Sequence, residues 1–469
     1  MTDHPDLLKT FMTRSGHLPV SLFPGSFGSE PQFTIPLLSL LEEAATRIQH
    51  MNLRLTKRLL RDLLETRHFG RTEEEGNLPM LESLNLYYPN LFNEANDPPP
   101  TIFWFVSDAA LPRLHTLKAV GFRWSFHRML IRSTLTRLSL NPSDEGSLRR
   151  WLRLLKNTPL LEELELDTIF GDSDIEDQEI PANARISMPC LRRVVLGEFG
   201  SGELVAGLIN HLDIPTNCVI SLHATDDRQC ITAATHSFVL SVVGSKMGTT
   251  FSSPAWQPRS MNLHISCTCS TIAFWPHVYH PFSNAARDGY DSDDSDEESA
   301  EAPILQCKLH YKSTDVSGLV ASLRAGTLPL QALQSLSIDN SGGIDETIWV
   351  LLIRCPKLRY LSVTSSTTHR ALLALLADPV FLPSLRSLRL KGACWGTKPG
   401  LGDSPPEGEA FSVSLERMLV ARKDAGRPLV GLVLDSIADL KSEDDRTWLD
   451  GPCRRLGTNL VVLVPGRYN

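Results

Sequence analysis

The sequence lacks any run of about 18 apolar residues, the length a bilayer-spanning helix needs, so we expect no membrane segment. Residues 1–9 are polar and acidic. They lack the positively charged region followed by an apolar stretch that marks a secretion signal, so we expect no signal peptide. Basic residues are not in excess, since 46 Lys and Arg stand against 54 Asp and Glu, a net charge of -8. This balance disfavours a nucleic-acid partner.

A disulfide framework is missing as well. The nine cysteines are odd in number and have no regular spacing. This usage is typical of reduced thiols, so we expect a cytoplasmic or nuclear protein.

One short segment concentrates possible metal ligands, namely His264, Cys267, Cys269, His277 and His280. A zinc site takes about four nitrogen or sulfur ligands, but Cys-x-Cys with His-x-x-His is not a common zinc spacing. Cys267, Cys269 and Ile265 would instead share one face of a strand. We interpret the segment as a buried strand pair, with zinc as the alternative, and expect no metal and no cofactor.

Catalytic motifs are largely missing. The sequence contains no phosphate-binding Gly-x-x-x-x-Gly-Lys-Ser/Thr, no Gly-x-Gly-x-x-Gly and no His-Glu-x-x-His. Gly171-Asp172-Ser173 and Ser341-Gly342-Gly343 resemble hydrolase fragments, but these residue types belong in turns for backbone reasons. Neither has a recognisable His partner, so we expect no enzyme, and a hydrolase that uses Ser173 is the least favoured alternative.

What the sequence does contain is a recurring phrase, Leu-x-x-Leu-x-Leu, often preceded by Leu-Pro or Cys-Pro. Full copies begin at Leu81, Leu135, Leu161, Leu385 and Leu429, and softer copies begin at Leu114, Leu191, Leu333 and Leu358. Residues 135 and 161 are 26 apart and residues 358 and 385 are 27 apart. Such spacing is typical of leucine-rich repeats of roughly 20–29 residues. One copy cannot bury its own leucines, so copies must stack.

Stacking predicts an α/β, irregular leucine-rich-repeat-like solenoid, with a curved parallel sheet and helices or irregular arms on its outer face. A degenerate copy at 48–53 and apolar stretches at 20–22 and 460–464 predict the first and last strands. Less regular strands are predicted at 219–222, 237–243, 262–266 and 308–311. Apolar helical faces predict arms at 57–66, 147–157, 203–212, 315–324, 346–354, 368–377 and 414–423.

Residues 1–469 are expected to form a single solenoid domain with two long loops. Residues 396–410 are rich in Gly and Pro, and residues 286–303 contain an acidic run that repels itself and should be disordered. Ser295 lies among acidic residues that suit acidophilic kinases, so it is a candidate phosphorylation site. The alternative is an unmodified, solvated insertion.

Alternation along each strand predicts which side chains face a partner. If the leucines point inward, the intervening residues point outward and collect into one face. Its charged and aromatic members are Tyr87, Lys118, Arg137, Glu163, Glu165, Asp167, Arg193, Asp339, Tyr360, Arg389 and Lys391. The row is acidic around 163–167 and basic around 389–391, which would let charge complementarity select a protein target. The alternative is that these charges only keep the sheet soluble.

A predicted helix carries four cations around an aromatic residue, namely Arg149, Arg150, Arg153 and Lys156 with Trp151. A nucleic-acid patch is one interpretation of this pattern. An amphipathic helix with a solvated basic face is favoured over it.

The N-terminal segment carries a family resemblance. Residues 11–22 read FMTRSGHLPVSL, and Arg14-Ser15-Gly16 followed by Pro19-Val-Ser21-Leu22 resembles the segment after the F-box in F-box/leucine-rich-repeat-like proteins of mushroom-forming fungi. The phrases at 78–86 and 355–361 are similar to that family's repeats. The resemblance implies a substrate receptor of a cullin–RING ubiquitin ligase, in which the F-box binds a Skp-type adaptor and the repeats hold a target.

The sequence departs from that family in two respects. The ten residues before Phe11 are too few for an F-box, so we expect adaptor binding only if an F-box lies upstream. The Asn or Cys that follows the strand in regular leucine-rich repeats is also missing, which predicts irregular turns. The corresponding residues are Pro89, Ile169, Ser341, Ser366 and Ala393. A free-standing repeat scaffold unrelated to ubiquitin is the main alternative function.

Overall fold

A computed structural model of the chain describes residues 5–22, 45–54, 78–88, 111–122, 127, 130–142, 147–167, 185–197, 202–215, 217–224, 258–265, 269–275, 277–278, 303, 305–310, 330–340, 346–364, 369–392, 411–435, 451 and 453–463. It divides into two compact units, Met1–Cys218 and Val219–Asn469. Both are α/β, with large, mostly parallel sheets and few helices in their described parts, which confirms the expected class. A single domain over 1–469 stays a prediction.

The sheet of unit 1 is parallel throughout its described strands. They are β1 (Val20–Leu22), β2 (Ile48–Arg54), β3 (Ser83–Tyr87), β4 (Thr116–Phe122), β5 (Arg137–Pro142), β6 (Glu163–Leu166) and β8 (Arg193–Leu196), and they pair in chain order. Two short strands, β7 (Ile186–Ser187) and β9 (Leu212–Asp213), form a separate parallel pair. The predicted opening strands at 20–22 and 48–53 are confirmed.

The Leu-Pro and Cys-Pro prefixes have a structural reason. The amide of the first leucine of the phrase donates to the carbonyl three residues earlier, at 3.0–3.2 Å, in Leu81, Leu114, Leu161, Leu191, Leu358 and Leu385. In each of these turns the second residue is proline, whose fixed φ is the one that this turn position requires. The prefix therefore directs the chain from each arm into the next strand.

The register of unit 1 places equivalent leucines side by side. Leu117 of β4 is the partner of Leu138, Leu138 is the partner of Leu164, and Leu164 is the partner of Val194. All four side chains are at most 1% exposed. The core of unit 1 is thus a row of aliphatic side chains that single strands could not remove from water.

Helix α1 (Pro5–Ser15) is an element that the sequence patterns did not predict. It ends where Gly16 adopts a positive φ of 55°, a conformation that favours glycine. The guanidinium of Arg47 donates to the Gly16 carbonyl, and its Nη1 lies 3.2 Å from the Ser15 hydroxyl. The Arg-Ser-Gly segment is therefore a capped helix end that leads into β1.

Helix α2 (Leu148–Lys156) confirms the arm predicted at 147–157. Ser147 accepts a hydrogen bond from the Arg150 amide at 3.3 Å, as an N-cap does. The face predicted to be apolar is buried, with Leu148, Trp151, Leu152 and Leu155 joined by Leu154.

Helix α3 (Gly202–His211) confirms the next arm but not its whole face. Leu208 is buried as predicted, and Val205 and Ile209 are buried beside it. Leu212, predicted to lie on the same helical face, belongs to strand β9 instead. The helix ends one residue earlier because Leu212 pairs with Ile186.

Unit 2 contains strands β10 (Val219–Ala224), β11 (Ser260–Ile265), β12 (Cys269–Trp275), β13 (Leu305–His310), β14 (Ser335–Asn340), β15 (Tyr360–Thr364), β16 (Ser387–Lys391), β17 (Gly431–Asp435) and β18 (Asn459–Leu463). Their spatial order is β10-β13-β12-β11-β14-β15-β16-β17-β18. From β14 onward the strands are parallel and follow chain order.

The expectation of parallel strands is wrong between β10 and β14. Strand β12 is antiparallel to both β11 and β13, and the three strands lie in the sheet in the reverse of their chain order. Ile265 ends β11 and Cys269 begins β12, so these two residues lie on different strands and do not share one strand face. The alternation that predicted the strands carries no information about chain reversal.

The arms of unit 2 agree with three predictions. They are a 3-10 helix (Glu346–Arg354), α4 (His369–Ala377) and α5 (Phe411–Asp424). The arms predicted at 57–66 and 315–324, the strand at 237–243, the loop at 396–410 and Ser295 lie outside the described residues, as does the segment 286–303 apart from Pro303. The positions Pro89, Ile169, Ser341, Ser366 and Ala393 lie outside them too.

A buried arginine fixes the turn that precedes β16. Arg422 of α5 is fully buried and donates to the carbonyls of Phe381, Leu382 and Leu385 at 3.3, 3.0 and 3.4 Å. Burial, followed by the nearby charge of Arg427, lowers the pKa of this guanidinium. Leu382 has a positive φ of 48°, which is strained for a leucine, and these hydrogen bonds hold it there.

Candidate partner-binding face

The sheet of unit 1 has a polar side opposite its leucine core. We call it the polar face of unit 1 and define it by Ser83, Asn85, Tyr87, Thr116, Lys118, Arg137, Ser139, Asn141, Glu163, Glu165, Asp167, Arg193 and Val195. These residues alternate with the buried leucines and are exposed or half-buried. Seven of the predicted partner-facing residues therefore lie on one side of one sheet.

Parallel register arranges this face into rows. Thr116, Arg137, Glu163 and Arg193 are successive partners in the first row. Lys118, Ser139, Glu165 and Val195 are successive partners in the second row. Neighbouring strands lie about 4.8 Å apart, so each row of four extends over roughly 14 Å.

Charges alternate along the first row. The Nε of Arg137 lies 3.3 Å from Oε1 of Glu163, with side chains 60% and 42% exposed. Arg193 occupies the other side of Glu163 and is exposed. The segment 163–167 that reads as acidic in sequence is therefore flanked by cations from both adjacent strands.

Three charged residues of the face make no ion pair with any other residue that the structure describes. They are Lys118, Glu165 and Arg193. Lys118 and Arg193 are exposed, whereas Glu165 is half-buried. These side chains can form ion pairs with another molecule without first breaking one to a residue in the described ranges.

Asp167 lies at the end of the face, where the ladder continues beyond β6 and β8. The Asp167 amide donates to the Leu140 carbonyl at 2.9 Å, and the Gly197 amide donates to the Leu166 carbonyl at 2.7 Å. A Cβ at Gly197 would collide with the Asp167 carboxylate. The absence of a side chain at Gly197 therefore makes the space that the carboxylate occupies.

A further polar pair borders the face at the start of β3 and β4. The Nε2 of His115 lies 3.5 Å from Oε2 of Glu82. The hydrogen bond with Gln49 lowers the pKa of Glu82, and the charge of His115 lowers it further, while burial works in the opposite direction. Sequence alternation missed this pair because both residues precede their strands.

The predicted partner-facing residues of unit 2 have different surroundings. Arg389 pairs with Asp435 of the adjacent strand, and the two side chains are only 13% and 11% exposed. Lys391 is exposed at the end of β16, while Asp339 and Tyr360 are half-buried. The basic segment 389–391 thus presents one exposed cation, because an unpredicted carboxylate neutralises the other.

Another polar pair lies on β10. The hydroxyl of Ser221 and Nε2 of His223 are 2.8 Å apart, a distance that nucleophile and base pairs also show. The two side chains are on the same side of one strand, two residues apart. Ser173 and Ser341, the serines considered from sequence, lie outside the described residues.

Within the described ranges, no group of three or more His, Cys, Asp and Glu residues could hold a metal ion. Cys267 and His280 of the segment considered for zinc lie outside those ranges. Burial raises the pKa of the Cys218 and Cys355 thiols to about 12. Both thiols therefore remain protonated at neutral pH and are weak nucleophiles.

Compared with known proteins, the chain matches no protein-family model and no curated protein. No helix among the described residues is both long and apolar enough to cross a membrane. The resemblance to F-box/leucine-rich-repeat-like proteins stays a hypothesis based on the sequence.

Proposed function

We propose that this chain is a non-enzymatic, leucine-rich-repeat-like solenoid that binds a protein target on the polar face of unit 1. The observation that carries the proposal is the register. It places Thr116, Arg137, Glu163 and Arg193 in one uninterrupted row across four strands. An extended row of charged and polar groups on a rigid sheet suits recognition of another protein surface.

The repeat architecture in this proposal is supported by three features that recur together. The strands of unit 1 pair in chain order, their leucines are in register, and the same proline-containing turn precedes several of them. Each feature is expected when successive repeats stack on one another. The antiparallel strand β12 and the inverted spatial order of β11 to β13 make the proposed solenoid irregular.

The wider role in the proposal is the target-recognition part of an F-box-type substrate receptor of a cullin–RING ubiquitin ligase. It is supported by the resemblance of residues 11–22 and of the later repeats to that family. The alternative is a free-standing scaffold without a link to ubiquitin. Affinity purification of the full gene product from its native host separates them, because only the first carries a Skp-type adaptor with it.

A charge swap tests the polar face directly. In the double variant Arg137→Glu with Glu163→Arg, the ion pair and the net charge are kept, but the order of charges from β5 to β8 changes from positive, negative, positive to negative, positive, positive. If the face recognises a target, the proteins labelled by proximity in the native host are lost with the variant. If the charges only keep the sheet soluble, the labelled set is unchanged.

The matched control is the swap Arg192→Glu with Glu162→Arg, since this exposed pair, 3.9 Å apart, lies just outside the face. Both swaps should leave thermal unfolding within about 1 kcal/mol of the wild type, because exposed ion pairs contribute little to stability. Loss of the same labelled proteins with the control swap would show that the effect does not belong to the polar face.

A further inference from the structure

Helix α2 exposes only cations. Its buried residues are all apolar, namely Leu148, Trp151, Leu152, Leu154 and Leu155. Every remaining residue of the helix is an exposed Arg or Lys. At 3.6 residues per turn, the four cations fall within an arc of about 120°. The set is Arg149, Arg150, Arg153 and Lys156.

This arrangement works against the helix itself. Arg149 and Arg150 lie in the first turn, where acidic residues are favoured, and that turn contains no acidic residue. Arg153 has like-charged neighbours three and four positions away, Arg149, Arg150 and Lys156, and such pairs destabilise a helix. The buried apolar face holds the helix in place in spite of this repulsion.

Helix α5 shows what a solvated helix surface looks like elsewhere in the chain. Its accessible residues include Val413, Arg417, Val420 and Asp424. Glu416 of the same helix lies 3.9 Å from Arg455. Both signs and apolar side chains are mixed there, as they are on ordinary protein surfaces. The uniform charge of α2 is therefore a feature of that helix and not of the chain as a whole.

We infer that the exposed arc of α2 is a second docking surface and that it binds an acidic segment of a partner protein. Arg150, Arg153 and Lys156 make no ion pair with any residue in the described part of the chain, so their charge is available to an anionic ligand. The surface lies on an arm and not on the polar face of unit 1, so it is independent of the proposed target site.

Three observations favour an acidic polypeptide over other anionic partners. Trp151 is fully buried, so no aromatic ring on the arc stacks with the bases of a single strand. The arc has no apolar side chain that could enter a lipid surface. The net charge of -8 repels the dense charge of a nucleic-acid duplex, whereas a short acidic segment meets mainly the local positive field.

Fluorescence anisotropy with the intact chain tests the inference. The probe is a labelled peptide of Asp, Glu and Ser, and its reference is the same peptide with Asn and Gln in place of the acids. We expect the acidic peptide to bind at low salt, and its affinity to fall as salt rises. The triple variant Arg150→Glu, Arg153→Glu and Lys156→Glu should weaken binding by about tenfold or more.

The matched control reverses three exposed cations of unit 2, Lys357→Glu, Arg359→Glu and Arg386→Glu, with the same change in net charge. It should bind the peptide with nearly wild-type affinity, as should Arg150→Lys with Arg153→Lys. Far-UV circular dichroism and thermal unfolding establish that each variant is folded. Absence of binding at low salt, or equal weakening by the control, would overturn the inference. A DNA duplex that binds more tightly than the peptide would overturn the choice of partner.

Discussion

Single leucines stabilise this chain through their counterparts on adjacent strands. Leu164 is in register with Leu138, and Leu388 is in register with Leu361 and Leu432. Their side chains are at most 1% exposed. Truncation at either position removes contacts with more than one strand, and the neighbouring strands cannot collapse into the space without losing their register.

We expect Leu164→Ala and Leu388→Ala each to lower the free energy of unfolding by about 2–5 kcal/mol, because a buried leucine leaves a cavity when it is truncated. Urea denaturation monitored by circular dichroism measures the change. Ser139→Ala, on the polar face, is the control and should stay within about 0.5 kcal/mol. A change as small as the control's would contradict the core assignment.

Two buried histidines make the stability of the chain depend on pH. His127 is fully buried with its Nε2 3.0 Å from the Phe122 carbonyl, and His369 has its Nε2 3.5 Å from the Val363 carbonyl. Burial lowers the pKa of each imidazole to about 4, although the backbone carbonyl acts in the opposite direction. Both are therefore neutral in the folded chain at pH 7.

Stability should fall as the pH is lowered from about 6.5 to about 4, since in this window the unfolded chain binds protons that the folded chain does not. Each histidine contributes up to roughly 3 kcal/mol to this loss in the free energy of unfolding. The loss is complete once the pH is below the pKa of the imidazole in the folded chain. Urea denaturation across this pH range measures it. His369→Gln should make the dependence shallower, whereas the exposed His277→Gln should not. An unchanged slope in His369→Gln would argue against a buried neutral imidazole.

At the scale of elements, α2 and α3 pack closely because Gly207 has no side chain. A Cβ at this position would lie 2.9 Å from Cδ2 of Leu148. Alanine is favoured over glycine in a helix by about 1 kcal/mol, but here the gain is opposed by displacement of a packed methyl group.

Gly207→Ala should therefore fail to stabilise the chain, or should destabilise it by about 1 kcal/mol. In a Leu148→Ala background the same change should be stabilising, so a double-mutant cycle should give a coupling energy of about 1 kcal/mol. Thermal unfolding measures all four proteins. If the effects of Gly207→Ala and Leu148→Ala on the free energy of unfolding were additive, close packing at Gly207 would be refuted.

At the scale of the whole molecule, protection from solvent should be graded across each sheet. Strands β4, β5 and β6 have described partners on both sides, whereas β1 and β18 end the strand order of their units. Stacked repeats hold their interior strands through two interfaces and their terminal strands through one.

Hydrogen exchange read by mass spectrometry should therefore be slowest in peptides from β4 to β6 and from β15 to β16, and faster in β1 and β18. The gradient follows from the number of strand partners and not from local sequence, since β18 is as apolar as β15. If β1 and β18 were protected from exchange as strongly as the interior strands, the view that each strand is stabilised by its neighbours would be contradicted.

The sequence by itself determined the core strands and most arms in both units. The Leu-x-x-Leu-x-Leu spacing located β3, β5, β6 and β16, and helical spacing located α2 and α5, because these periods reflect local backbone geometry. It also identified the alternating residues that form the polar face of unit 1. It did not locate α1, whose residues were considered from sequence only for a secretion signal and for the family resemblance.

Only the tertiary structure decided which strands and charges are neighbours. Three features depend on residues that are distant in sequence. They are the inverted spatial order of β11 to β13, the ion pair between Arg389 and Asp435, and the cations on both sides of Glu163. Alternation fixes the side of a sheet on which a residue lies, but the residue beside it comes from another strand. The electrostatics of the candidate face therefore depend on strand order and register, which leucine spacing does not encode.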